Sequence, residues 1–135
     1  MALSHEDRAA VTDLVAMHGH VVDSGQLDRL DELFTADVVY DVTDFGQQQP
    51  LVGTAAVRDA ALALGERSPV GHHVTNTVLT EIADGRVRAL SKGIGVNADG
   101  TCGSVTYEDT LVLGPGGWRI ALRRVRANRA PLGAG

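Results

Sequence analysis

Asp23, the adjacent pair His72-His73 and His18 are the side chains here whose types and placement suit acid–base chemistry. Histidine has an ordinary pKa near neutrality, so one placed in a pocket is a natural general base. A carboxylate bonded to its second ring nitrogen would fix the tautomer and stabilise the imidazolium formed on proton transfer. Asp23 is the candidate carboxylate. It falls at the end of a helical pattern, where the macrodipole is negative and a free anion is poorly placed. It also reads more simply as the opening of an Asp23-Ser24-Gly25 turn, where Asp is common. His72 and His73 lie in a β-rich run, so they face opposite ways and at most one enters an interior.

The remaining candidates are weaker one by one. His18 shares the apolar helical face of Val11, Leu14 and Val22 and should point inward. His20, two residues on, should be solvated, and no histidine pair has the i, i+4 spacing of a helical metal site. No metal and no cofactor are expected. Asn76 has the strand parity of His72, Val74 and Val78 and reads either as a pocket group or as a side chain bonded to the next strand. Tyr107, if buried, needs a partner for its hydroxyl. Arg123 is either one of several solvated strand arginines or a cation meeting an anionic or departing group. Two motif matches fail. Gly93-Ile94-Gly95-Val96-Asn97-Ala98 fits G-x-G-x-x-A but lies inside a strand pattern and opens no helix, and no serine sits in a G-x-S-x-G elbow.

The elements that must position these groups follow from periodicity. Ser4 caps a helix over about 5–23, with Asp7 in capping-box position. Leu27, Leu30, Leu33 and Phe34 give a short second helix, broken at Thr35-Ala36-Asp37. A strand follows over 38–42, then a polar loop from Gly46 to Pro50. Thr54 caps a third helix through Leu64, with Val57, Ala60, Ala61 and Leu64 inward. Four strands follow, over about 71–82, 86–97, 103–113 and 118–128. They are joined at Ala83-Asp84-Gly85, Ala98-Asp99-Gly100 and Gly114-Pro115-Gly116-Gly117, which are hairpin signals. Residues 130–135 form a loose tail. Helices first and an antiparallel sheet afterwards is an α+β pattern in a single domain over 1–135. A sheet curling round a helix leaves a mouth suited to a small-molecule pocket.

Composition limits the function. The chain has 135 residues, 12 Lys+Arg against 17 Asp+Glu, and a net charge of -5, so nucleic acid is not the expected partner. The one basic cluster, Arg119, Arg123, Arg124, Arg126 and Arg129, should split between two strand faces. One cysteine, Cys102, allows no internal disulfide, and a reducing, cytoplasmic location is expected. No apolar run approaches membrane-spanning length, and the first residues lack a signal-peptide core. Aromatics are only 4%, so Ala, Val and Leu must fill the interior. Val105, Leu111, Leu113, Ile120 and Leu122 offer more apolar surface than one helix layer hides, which predicts a homodimer or homotrimer.

Four stretches together carry a family resemblance over about residues 5–128. They are His20-Val21-Val22-Asp23-Ser24-Gly25-Gln26-Leu27-Asp28-Arg29-Leu30, then Leu33-Phe34-Thr35-Ala36-Asp37-Val38-Val39-Tyr40-Asp41, then His72-His73-Val74-Thr75-Asn76, and Gly117-Trp118-Arg119-Ile120 followed by Arg123. With these the chain resembles the SnoaL-like branch of the NTF2-like superfamily. It is most similar to the scytalone dehydratase and hexachlorocyclohexane dehydrochlorinase group.

The resemblance implies a cone-shaped, cystatin-like α+β barrel: a curved antiparallel sheet wrapped around three N-terminal helices, with a deep pocket. It implies that Asp23 pairs with a strand histidine that removes a proton during elimination. His72 matches that histidine and Asn76 the asparagine of the dehydrochlorinase pattern; a one-residue shift of register would select His73. His18 falls where the dehydrochlorinase has a lysine, Arg123 matches its pocket arginine, and Tyr107 a tyrosine of the penultimate strand. Val22 and Val42 stand where scytalone dehydratase has working tyrosines, so that enzyme's substrate is not expected. With Tyr40 they would line the space for substrate. The implied activity is a cofactor-free lyase of dehydratase type, or a related cyclase or isomerase, acting on a small, largely apolar molecule. The other expectation is a non-catalytic ligand-binding or assembly module, since the superfamily holds both.

Overall fold

The computed structural model describes residues 3–133; the last two residues of the expected tail lie outside them. Helix α1 spans His5–Asp23. Ser4 starts it by accepting the Asp7 N–H at 3.0 Å. The expected capping box is only half formed: the Asp7 carboxylate instead accepts the indole N–H of Trp118 at 2.9 Å, tying the helix start to the last strand. Val11, Val15, His18 and Val21 form the buried stripe. The helix ends as Ser24 Oγ donates to the His20 carbonyl and Gly25 turns left-handed at φ 72°.

Residues Leu27–Glu32 form a 3-10 turn rather than an α-helix, and strand β1 already runs over Phe34–Asp41. The expected second helix fails because tertiary pairing wins. The Ile120 N–H bonds the Leu33 carbonyl at 2.8 Å, and Phe34 pairs with Ile120 in a parallel ladder. The Thr35-Ala36-Asp37 segment, read as a helix breaker, lies in the irregularity of that ladder. A two-residue strand β2, Leu51–Val52, caps the edge. Helix α2 spans Thr54–Leu64 with Gly53 at its N-cap, not Thr54. It buries Val57, while Leu64 is exposed rather than inward.

Strands β3 (Gly71–Ala83), β4 (Arg86–Val96), β5 (Cys102–Gly114) and β6 (Gly117–Asn128) match the hairpin reading closely. The six strands form one sheet in the order β2-β1-β6-β5-β4-β3, antiparallel except for the β1–β6 pair. The sheet is therefore mixed and does not close. Its inner face meets α1 and α2 in one core that includes Val11, Val15, Leu30, Phe34, Val87, Leu111 and Ile120. Among the described residues no helix is long and apolar enough to cross a membrane.

Two bulges decide which side chains enter. In β3 the register shifts between Thr75 and Val78. Asn76 there is exposed and left-handed at φ 57°, and Val78 is exposed too. Asn76 thus does not share the inward face of His72, because one extra residue reverses the parity beyond it. In β6 the ladder shifts beside Ala121, so both Ile120 and Arg123 are wholly buried. Leu111 is also buried, which removes it and Ile120 from the outer surface expected of them. Leu113 is exposed and Leu122 and Val105 partly so, in line with the expectation, and the outer face also carries exposed Val78, Leu90 and Ile94.

Helix α1 crosses β3 at Gly19. A methyl group there would lie 2.2 Å from the His72 carbonyl oxygen, a contact with backbone that cannot swing away. Gly19→Ala is expected to destabilise the fold by about 1–3 kcal/mol through overpacking and to disturb the neighbouring His72. Urea unfolding and the His72 imidazole NMR signals check this; unchanged values for both would contradict it.

Candidate active site

The contact at Gly19 brings the end of α1 to the start of β3. There the His72 Nδ1 lies 2.6 Å from Asp23 Oδ1, and the His72 backbone N–H donates to Asp23 Oδ2 at 2.9 Å. One carboxylate therefore holds both the ring and the backbone of the same histidine. With Asp23 as acceptor the Nδ1 carries a proton, and in the neutral ring Nε2 then holds the lone pair. The two side chains are 18% and 25% exposed, so a molecule from solvent can reach them. His73 is exposed on the other side of the strand. Strand parity allowed either histidine to face inward, and it is His72 whose ring meets Asp23.

Behind this pair lies a compact set of rings. His18 is buried, and its ring centroid lies 5.9 Å from that of His72, 6.1 Å from Tyr107 and 6.0 Å from Phe34. Tyr40 is half-buried, with its hydroxyl 3.4 Å from His18 Nε2. His18 Nδ1 is buried without a hydrogen-bond partner. Burial first, then the nearby Arg123 and His72, holds the His18 pKa well below its ordinary value. His18 is therefore a neutral donor and acceptor. Burial pushes the Tyr40 hydroxyl up to about 12 and raises that of Tyr107 as well, so both stay protonated.

Arg123 is wholly buried, with Cζ 4.5 Å from the centroid of the Tyr107 ring. Its partner is one that sequence reasoning missed. Asp109, also wholly buried, accepts from Arg123 Nε and Nη2, both at 2.8 Å. The signal was present: Asp109 has the strand parity of Tyr107, so an inward Tyr107 entails an inward Asp109. Burial opposes the arginine's charge, but the Asp109 carboxylate outweighs this and raises its pKa. Nη1 of Arg123 is left without a close partner. The arginine cluster does divide between faces, since Arg124 bonds Asp41 and Arg126 bonds Glu108 on the outer side.

Val22 and Val42 are only partly buried. Two surface hollows lie away from this cluster. One of about 450 Å³ lies along the outer side of α1 by Asp13, Met17 and His20. Another of about 410 Å³ lies on the outer sheet face by Val78, Leu90 and Leu122. Neither contains His72, Asp23 or Arg123. The chemistry-bearing groups, not these hollows, mark the candidate site. Among the described residues no three His, Cys, Asp or Glu side chains gather as a metal-binding group.

A model of the SnoaL-like domain family matches residues 4–124. The chain belongs to this SnoaL-like family. Solved structures agree on the fold. A cystatin-like-fold protein from Nostoc punctiforme is 18% identical, with a TM-score of 0.81, covering 98% of this chain and 99% of that one. An NTF2-like protein with a cystatin-like fold from Novosphingobium aromaticivorans is 22% identical, with a TM-score of 0.80, covering 96% and 86%. The protein LinA is 20% identical, with a TM-score of 0.76, covering 90% and 86%. No curated protein matches the sequence. The SnoaL-like chain thus has the NTF2-like, α+β fold expected of it.

The lowered His18 pKa has a consequence for stability. The unfolded chain protonates His18 near 6.5, while the folded chain resists doing so. Below that value the unfolded state binds more protons, so stability falls as pH drops from about 7 to 5 and is flat above. Asp41 and Asp99, whose pKa values hydrogen bonds from Thr43 and Thr101 lower, act in a separate window below about pH 4. His18→Gln should flatten the decline between pH 7 and 5. Melting temperatures by circular dichroism across pH 5–8 test this, and an unaltered slope in the variant would contradict it.

Proposed function

We propose that this SnoaL-like domain is a cofactor-free, lyase-type enzyme of the dehydratase kind, acting on a small, largely apolar molecule. Related cyclase or isomerase chemistry would use the same first step. The observation that carries this reading is the doubly bonded Asp23–His72 pair. His72 Nε2 takes a proton from a carbon next to an activating group. The positive charge that develops on the ring is stabilised by Asp23, which also holds the ring in place. The electron pair released from the C–H bond forms a new double bond. In an elimination it expels a leaving group from the neighbouring carbon; in an isomerisation a proton returns elsewhere. His18, Tyr40 and Tyr107 are neutral donors deeper in the fold, suited to hydrogen-bond charge that builds up on the substrate. Arg123 lends its positive charge to the same cluster, and Tyr107, Tyr40, Val22 and Val42 border the substrate.

His73 and Asn76 have no part in this reading, since both are exposed away from His72. The proton transfer is readable without knowing the natural reaction. Small ketones and β-hydroxy ketones incubated in D2O should exchange acidic C–H for C–D faster with the protein than without it. His72→Gln should lower that rate by about 10²–10⁴-fold, the usual share of general base catalysis. Asp23→Asn should lower it strongly too, and His73→Gln should leave it unchanged. Exchange that survives His72→Gln contradicts the reading. Binding of these ketones without any exchange points instead to a ligand-binding module.

A further inference from the structure

Three elements bring Tyr40, Arg123 and His18 together. Tyr40 lies opposite Arg123 in the parallel β1–β6 ladder. Asp109 on β5 holds Arg123 from the other side, accepting from Nε and Nη2, both at 2.8 Å, and this pair is wholly buried. The Tyr40 hydroxyl hydrogen-bonds the same guanidinium and lies 3.4 Å from Nε2 of His18 on α1. A guanidinium has only donors, so the Tyr40 oxygen is the acceptor in that bond. Its one proton is then left for His18. Asp109, Arg123, Tyr40 and His18 thus form one line of donors and acceptors, whose last ring lies 5.9 Å from that of His72.

The directions along this line decide the tautomer of His18. Burial keeps the ring neutral, so it carries one N–H and one lone pair. With the proton on Nδ1, Nε2 accepts the Tyr40 hydroxyl, and only the buried Nδ1–H goes without a close partner. With the proton on Nε2, that N–H competes with the guanidinium for the Tyr40 oxygen. The hydroxyl proton and the Nδ1 lone pair then both lack partners among the described residues. Unpaired buried groups are costly, so the first arrangement is favoured. We propose that Tyr40 is a positioning residue: oriented by Arg123, its hydroxyl donates to His18 Nε2 and fixes the His18 proton on Nδ1. The functional consequence rests on the acid–base reading above. With its one basic nitrogen occupied, His18 does not take up the proton that His72 removes, and His72 stays the single base of the interior. Tyr40 acts through His18, and Asp109 through Arg123.

The test is NMR of the native protein labelled with 15N-histidine, at about pH 8, where neutral rings dominate. Correlations between ring nitrogens and ring protons tell a protonated nitrogen from a bare one, and His18→Gln identifies the His18 signals by their loss. His18 should show a protonated Nδ1 and a bare Nε2, with a preference of about tenfold or more, the scale of one hydrogen bond. Tyr40→Phe keeps the ring and removes the donor, so the preference should fall by about tenfold and the two nitrogen signals should move toward one another. Asp109→Leu combined with Arg123→Met removes the buried pair as a unit, a change that folds often tolerate. It frees the Tyr40 hydroxyl to turn, and the preference should weaken there too. Should that double variant fail to fold, the native spectrum and Tyr40→Phe decide. A native His18 protonated on Nε2 overturns the proposal. So do His18 signals left unchanged by Tyr40→Phe or by the folded double variant. The spectra need no substrate, so they and the deuterium-exchange experiment fail independently.

Discussion

Helix α1 lies so close to β3 at Gly19 that its backbone leaves no room for a methyl group before the His72 carbonyl. Four residues later, about one helical turn, the chain reaches Asp23. The close approach therefore sets the distance from which Asp23 bonds both the ring and the backbone N–H of His72. Longer side chains at 19 would hold the two elements apart and leave the carboxylate short of its histidine. The other end of the helix is fixed independently, through the bond from Trp118 to Asp7. A helix pinned at both ends against opposite parts of the sheet cannot slide. Neither bond is large in free energy, but both restrict position, and position is what acid–base chemistry needs.

The interior departs from what packing alone would favour. A wholly buried Arg123–Asp109 pair, a buried histidine and two phenols take the place of aliphatic side chains. Burying an ion pair costs desolvation on both sides and is weak evidence for stability. Among the described residues four buried polar side-chain atoms, His18 Nδ1, Thr35 Oγ1, Ser91 Oγ and Arg123 Nη1, go without close hydrogen-bond partners, and each such atom costs about 1–3 kcal/mol. Unsatisfied buried donors cluster where a fold gives up stability for recognition or chemistry. Two of the four, His18 Nδ1 and Arg123 Nη1, belong to the ring cluster behind His72.

Much of this was legible in the sequence, and several of the failures share one cause. The helix cap at Ser4, the buried stripe of α1 and all three hairpin joints depend on local rules, and the structure follows them. Asp23 and His72 could be paired only through the family resemblance, because 49 residues separate them and no local rule spans that distance. The misplacements arise where strict alternation was assumed across a bulge. Asn76 and Val78 fell on the wrong face because β3 gains a residue, and Ile120 because β6 does. A bulge is settled by how neighbouring strands pair, which one strand's sequence does not show. Phe34 was drawn into a helix for the same reason: its parallel pairing with Ile120 is a long-range fact.

Asp109 is the instructive omission. An aspartate in a strand reads as solvated, since charged residues are almost never fully buried unless paired. Its parity with Tyr107 said inward, and Arg123 across the ladder supplied the partner. The two clues belong to different strands and acquire meaning only together. The same holds for the scarcity of aromatics. With so few in the chain, Phe34, Tyr40 and Tyr107 all gather about His18, while Val and Leu fill the rest of the core. Where aliphatic packing would have sufficed, the fold has concentrated its rings around one histidine and one arginine. That concentration gathers the rings and the buried ion pair about His18, while Val, Leu and Ile make up most of the remaining core.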